Sequence, residues 1–232
     1  MNILQTLFSP FRAFNELKQE KKFPAMALII VLLLVAVYLI LMLPITAKIT
    51  ALTLSSMPLP EEQLERSMEI LHKMRYLQVI GGIFSTAATL FLYALLLYLL
   101  TLIAKPALTY IKSFTIIVYS YFALLLGNLI NIGLLYLKGL DNITNPFEIS
   151  LTGLNLLTSV EQAGLVLYSF LSYINPFQVW FIILISLGLK VFADIKYTKA
   201  LLICILFWVI TILVTLVSVV FSEITLKNAG IM

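Results

Sequence analysis

The sequence predicts an all-α polytopic membrane protein, a bundle of five transmembrane helices with amphipathic helices at the membrane interfaces. Three observations carry this. Of 232 residues, 62% are hydrophobic and 11% charged. A water-soluble domain has about a quarter of its residues charged, so this chain has too few charges for a water-facing surface. The apolar residues also come in continuous runs rather than the alternation of a transmembrane β-strand, and a helix is the element that satisfies its own backbone inside lipid. Finally, the charged residues collect between the runs. The whole chain, 1–232, reads as a single membrane domain.

The elements follow in order. Residues 1–23 form a cytosolic segment. Within it, Ile3, Leu4, Leu7, Phe8, Phe11 and Phe14 recur at helical spacing, which predicts one interfacial amphipathic helix over residues 3–17, with basic residues after it. The first span covers 24–45. It is longer than the hydrophobic region of a secretory signal, and no small-x-small cleavage site follows it, so an uncleaved span is expected. Residues 60–76 open with Pro60 and two acids, as the helix dipole favours. They offer the i,i+4 pairs Glu62–Arg66 and Glu69–Lys73 and an apolar face of Leu64, Met68 and Leu71. This outer helix is expected to run into the second span, 77–103, and a third span covers 114–137. Residues 139–162 are the longest irregular segment.

The fourth span, 176–193, is the short one. Its apolar part ends at Leu189, and it reaches across the hydrocarbon only if Lys190 snorkels to the headgroups. The apolar stretch 163–174 either extends it as a kinked helix or forms a separate helix that is interfacial or re-entrant. Asn is a favoured N-cap and Pro a favoured first helical residue, so Asn175 and Pro176 are expected to start a new helix. Asn145-Pro146 carries the same pattern and the same expectation. The fifth span covers 200–221.

Basic residues set the orientation. With the N-terminus inside, the inner segments hold Arg12, Lys18, Lys21, Lys22, Lys105, Lys112, Lys190, Lys196 and Lys199. The outer ones hold Lys48, Arg66, Lys73, Arg75, Lys138 and Lys227, four of them in a loop that also carries four glutamates. The expected topology is N-terminus cytosolic, C-terminus outside. Lys105, Lys112, Lys190, Lys196 and Lys199 form a cytosolic basic face, suited to membrane anchoring or to docking anionic headgroups or a partner.

Reactive constellations are not visible. The one histidine, His72, lies on the outer helix as a solvated face residue. The one cysteine, Cys204, lies in an apolar run as a packing residue. No acid sits deep in a span, and neither metal-ligand spacing nor a phosphate-binding glycine loop occurs. The glycines of "IGGIF" (80–84) suit close helix approach instead. No catalytic residue, metal or cofactor is expected, and no nucleic-acid partner. What remains is uncharged polarity: Ser85, Asn128, Asn131, Asn175 and Gln178 are all expected in the outer half of the bilayer. They either hydrogen-bond between helices or line an outward cavity, with the start of the fourth helix aimed at a ligand.

Several separated stretches together resemble the Yip family (the Ypt/Rab-interacting-protein type), in its prokaryotic branch: "FSPFRAF" at 8–14, "GLDNITNPFEISL" at 139–151, "INPFQVWFIILISLGL" at 174–189 and "KYTKALLICILFW" at 196–208. The resemblance implies a five-helix bundle with a cytosolic N-terminus, in a prokaryotic cytoplasmic membrane. The "DLYGP" stretch of eukaryotic relatives is absent, so their Rab-binding role is not carried over. Some prokaryotic relatives resemble accessory partners of ABC-type exporters. The expected function is a non-catalytic membrane scaffold or accessory subunit in contact with the lipid bilayer and with another membrane protein or a second copy of itself. The alternative is a small transporter or channel with an outward-facing polar cavity.

Overall fold

The structure, a computed structural model, describes residues 3–19, 23–55, 60–104, 108–145, 147 and 149–228; for residues 3, 4, 61, 71, 72 and 226–228 it describes the backbone alone. The described residues are helical, without strands: α1 (Ile3–Phe8), α2 (Pro10–Gln19), α3 (Ala25–Ser55), α4 (Glu61–Ala104), α5 (Tyr110–Lys138), α6 (Val160–Tyr173), α7 (Pro176–Ala193) and α8 (Tyr197–Asn228). Short 3₁₀ turns lie at Leu140–Asn142 and Leu154–Leu157. Five helical stretches are long and apolar enough to cross a bilayer: Ala25–Ser55, Lys73–Ala104, Tyr110–Lys138, Pro176–Ala193 and Tyr197–Thr225. The chain is therefore an all-α polytopic membrane protein.

Four local expectations change. The N-terminal helix is two helices, because Pro10 disfavours helical backbone at Ser9 and then starts a new helix. The first span does not stop near Pro44 but runs on to Ser55. A proline removes one helical donor; here the Tyr136 hydroxyl donates to the Leu41 carbonyl (2.8 Å), next to the carbonyl that loses its partner. Asn145 precedes no described helix. Its side-chain oxygen accepts from the Phe147 amide (3.0 Å), the bond an N-cap makes, but 149–153 after it is irregular and the next long helix starts only at Val160. Of the two ion pairs expected on α4, Glu69–Lys73 forms at 2.6 Å, whereas Glu62 and Arg66 form none. Both of those side chains are exposed, where holding an ion pair gains little.

By contact the chain divides into two compact units. The first comprises Met1–Val35, Phe84–Gly127 and Pro176–Thr211. In it α2 packs on α7 through its buried face, Ala13, Phe14 and Leu17. Phe14 meets Phe192 edge-to-face at 6.4 Å. A Cβ on Gly188 would stand 2.8 Å from Ile116 and 3.3 Å from Phe14, so glycine is what lets α7 receive side chains from both α5 and α2. Aromatic rings fill the rest: Phe114 stacks on Phe91 (4.7 Å) and Phe23 (5.1 Å), and Tyr93 meets Phe207 edge-on (5.5 Å). Such pairs add roughly 0.5–1.5 kcal/mol each beyond burial. Cys204 is fully buried here.

The second unit comprises Ala36–Ile83, Asn128–Asn175 and Ile212–Met232. Ile45, Leu135 and Ile143 form one apolar cluster, joined by Ile49, Ile149 and Leu151. Val160, Leu165 and Tyr168 of α6 form another, with Phe147 and Val219. The helix α6 is kinked at Gly164.

Candidate functional site

The junction between α6 and α7 settles the reading of the second Asn-Pro pair. The helix α6 ends at Tyr173 and α7 begins at Pro176, so 163–174 is not continuous with the fourth span. Pro176 opens α7 because its missing N–H is one that a first helical turn leaves unpaired anyway. Asn175 reaches backward: its Nδ2 donates to the Ser172 carbonyl at 3.1 Å, holding the last turn of α6. Phe177 then anchors the start of α7. A Cβ on Gly127 of α5 would stand 2.5 Å from the Phe177 ring, so that glycine is the seat of the ring.

Asn131 organises the irregular segment. Its Nδ2 donates to the Ile149 carbonyl (2.9 Å) and its Oδ1 accepts from the Leu151 amide (2.7 Å). One side chain thus imitates a strand partner for backbone that has neither helix nor sheet to pair with. Asn128, a turn earlier on the same face, is half-buried. Asn155, which no sequence periodicity marks, is fully buried in the Leu154–Leu157 turn. Its Nδ2 donates to the Ser150 carbonyl and to the Tyr168 hydroxyl, both at 2.8 Å. The available signal was an amide among leucines, "LNLL", after a glycine. Asn145 closes the other end: its Nδ2 donates to Glu161 (3.1 Å) in the first turn of α6. The Glu161 carboxyl is held below its ordinary range by its own backbone N–H, then by the Ser159 hydroxyl and Asn145. Asparagines therefore tie residues 139–175 together at four points.

Ser85 and Gln178 fall in the first unit; Asn128, Asn131 and Asn175 fall in the second. Ser85 is exposed on α4, and Gln178 is half-buried in the first turn of α7. Of the five lysines expected on a basic face, Lys105 lies outside the described residues, as do Lys21, Lys22, Pro146 and the side chains of Leu71, His72 and Lys227. The other four all belong to the first unit. Lys112, Lys196 and Lys199 are exposed and, among the described residues, form no ion pair. Lys190 is half-buried, with its Nζ 5.2 Å from the Phe11 ring centroid, a cation–π contact that joins α7 to α2. Phe11 and Phe8 are themselves exposed. In the loop between α7 and α8, Asp194 takes a left-handed φ of 53°.

Polytopic, all-helical architecture defines a class of membrane protein without fixing a family. Residues 4–219 match the Yip1 domain, and the chain belongs to that family. No curated protein and no solved structure matches it.

Proposed function

We propose that the chain is a non-catalytic membrane scaffold or accessory subunit, acting through helix–helix contacts and through the basic surface of its first unit. The observation that carries this is the set Lys112, Lys196 and Lys199, exposed and, among the described residues, without carboxylate partners. Close in sequence to Lys196 and Lys199, α7 holds α2, whose Phe11 is exposed, as is Phe8 at the end of α1. Unpaired ammonium groups with exposed aromatics suit a surface that binds something anionic, headgroups or an acidic protein segment. The polar side chains of the second unit support the same reading: Asn131 uses both amide atoms on its own chain.

The finer reading is an accessory partner of an ABC-type exporter in a prokaryotic cytoplasmic membrane, N-terminus cytosolic and C-terminus outside, with a second copy of the chain as the other candidate partner. Enzymatic chemistry, cofactors and nucleic acid have no part in it. The alternative, a small transporter or channel, needs free amides at Asn128, Asn131 and Asn175 facing water, and the engagement of Asn131 ranks it second. Crosslinking in membranes followed by purification in mild detergent tests the proposal. The expected result is a membrane protein or a second copy recovered with the wild type and reduced about tenfold by the combined change Lys112→Glu, Lys196→Glu and Lys199→Glu, since like-charge contact costs a few kcal/mol. Equal recovery with the triple variant overturns the proposal.

A further inference from the structure

The hairpin of α3 and α4 encloses a cavity of about 230 Å³ that the lysine surface does not use. Both walls belong to the second unit. Thr46, Ala47 and Thr50 of α3 face Met68, Arg75 and Gln78 of α4 across it. Arg75 is half-buried, and its Nε is buried with no hydrogen-bond partner. One terminal nitrogen donates to the Tyr76 hydroxyl (3.2 Å), and the guanidinium carbon stands 5.0 Å from that ring's centroid. The two contacts hold the group in place but leave its charge unneutralised.

Among the described residues, nothing on the cavity's own helices supplies a counter-charge. The helix α3 contains no acid, and its one charged residue is Lys48. On α4 no acid follows Glu69, and Glu69 is paired with Lys73. Glu65 precedes Arg75 by ten residues, roughly 15 Å along the helix. The Thr46 and Thr50 hydroxyls donate to the Leu43 and Thr46 carbonyls. The donors left to a ligand are the Arg75 Nε and the exposed Gln78 amide. A desolvated guanidinium with an open N–H, above apolar walls, calls for an anion attached to something greasy.

Its depth in the chain supplies the rest. Arg75 lies two residues inside the start of the span Lys73–Ala104, and the exposed Tyr76 beside it is the residue type that collects at headgroup level. The geometry points to a site for one anionic phospholipid: its phosphate on Arg75 and Gln78, its glycerol and first methylenes against Ala47 and Met68. This site needs no protein partner and stands whether or not the scaffold reading holds.

Native mass spectrometry of the full chain, exchanged into mixed micelles of equal phosphatidylglycerol and phosphatidylcholine, tests it. The expected result is one phosphatidylglycerol retained by the wild type and by Arg66→Gln, and retention lowered about fivefold or more in Arg75→Gln, the loss of a charge-assisted hydrogen bond. Ala47→Phe, which fills the cavity from the opposite wall and leaves the guanidinium intact, is expected to lose the lipid too. Thermal unfolding of each variant separates lost binding from lost fold. Retention in Arg75→Gln equal to wild type, equal retention of phosphatidylcholine, or displacement of the lipid by 10 mM inorganic phosphate (about the concentration at which a weak surface anion site fills) each overturns the proposal, the last in favour of a soluble anion.

Discussion

Asn131 shows how one polar side chain inside an apolar helix organises a whole loop. The residues it holds, Ile149 and Leu151, also pack into the cluster of Ile45, Leu135 and Ile143, so the hydrogen bonds and the apolar burial fix the same backbone. Removing the amide leaves a backbone carbonyl and a backbone N–H short of partners. Asn131→Ala is expected to destabilise the protein by about 1–3 kcal/mol and to speed amide exchange selectively at residues 149–151. Asn131→Asp, which keeps the acceptor for Leu151 but loses the donor to Ile149, falls between. Thermal unfolding in detergent with hydrogen exchange checks both. The sequence marks Asn131 as a polar residue needing a partner. The identity of the partner is not legible, because the loop backbone it pairs with carries no side-chain signature. Asn155 escapes for a related reason: its burial depends on α6 closing over it, and no periodicity encodes that.

At the scale of the element, glycines in the spans are not equivalent. The sequence offers Gly81 and Gly82 as a close-approach pair, yet a Cβ on Gly81 meets nothing within 4 Å, and one on Gly82 meets the flexible end of Leu39. The close approaches are Gly127 and Gly188, each isolated in sequence. Gly127→Ala is expected to cost about 1–3 kcal/mol through overpacking on Phe177, partly recovered when combined with Phe177→Leu. Gly81→Ala is expected to be neutral or to stabilise by about 0.5–1 kcal/mol, because alanine loses less backbone entropy in a helix. Unfolding midpoints of the three variants decide it. Helix existence and type are readable because apolar runs are long, and the start of α7 is readable because Asn-Pro has a local mechanism. Helix ends are less so: α3 and α8 run past the expected 45 and 221 because the residues beyond remain good enough helix formers. The first Asn-Pro misleads because the cap alone does not make a helix: Asn145 makes the capping bond to the Phe147 amide, but the backbone at 149–151 pairs with Asn131 instead of continuing as a helix.

For the whole molecule, the proposed topology puts the N-terminus in the cytosol and the C-terminus outside, on an odd number of candidate spans and the lysine and arginine distribution. The expectation is checked with single cysteines in a Cys204→Ser background. A cysteine at Lys196, between α7 and α8, is expected to react with an impermeant maleimide only after the membrane is opened. One at Thr152, in the asparagine-tied segment, is expected to react in intact cells. The reverse pattern inverts the topology and moves the basic surface outside. Membership of the Yip1 family was legible because the matching stretches are spread in order along the chain, although each is short.

The fourth span, α7, has 18 residues, against 29 to 32 for the other four stretches. Half of its most apolar window is buried inside the protein, as is 67% for α5, but only 17–28% for the stretches in α3, α4 and α8. Half of that short span is therefore sheltered from lipid, and α3, α4 and α8 offer more of their surface to the acyl chains. A change in bilayer thickness would act first on the tilt of α3, α4 and α8 and least on the short, half-sheltered α7.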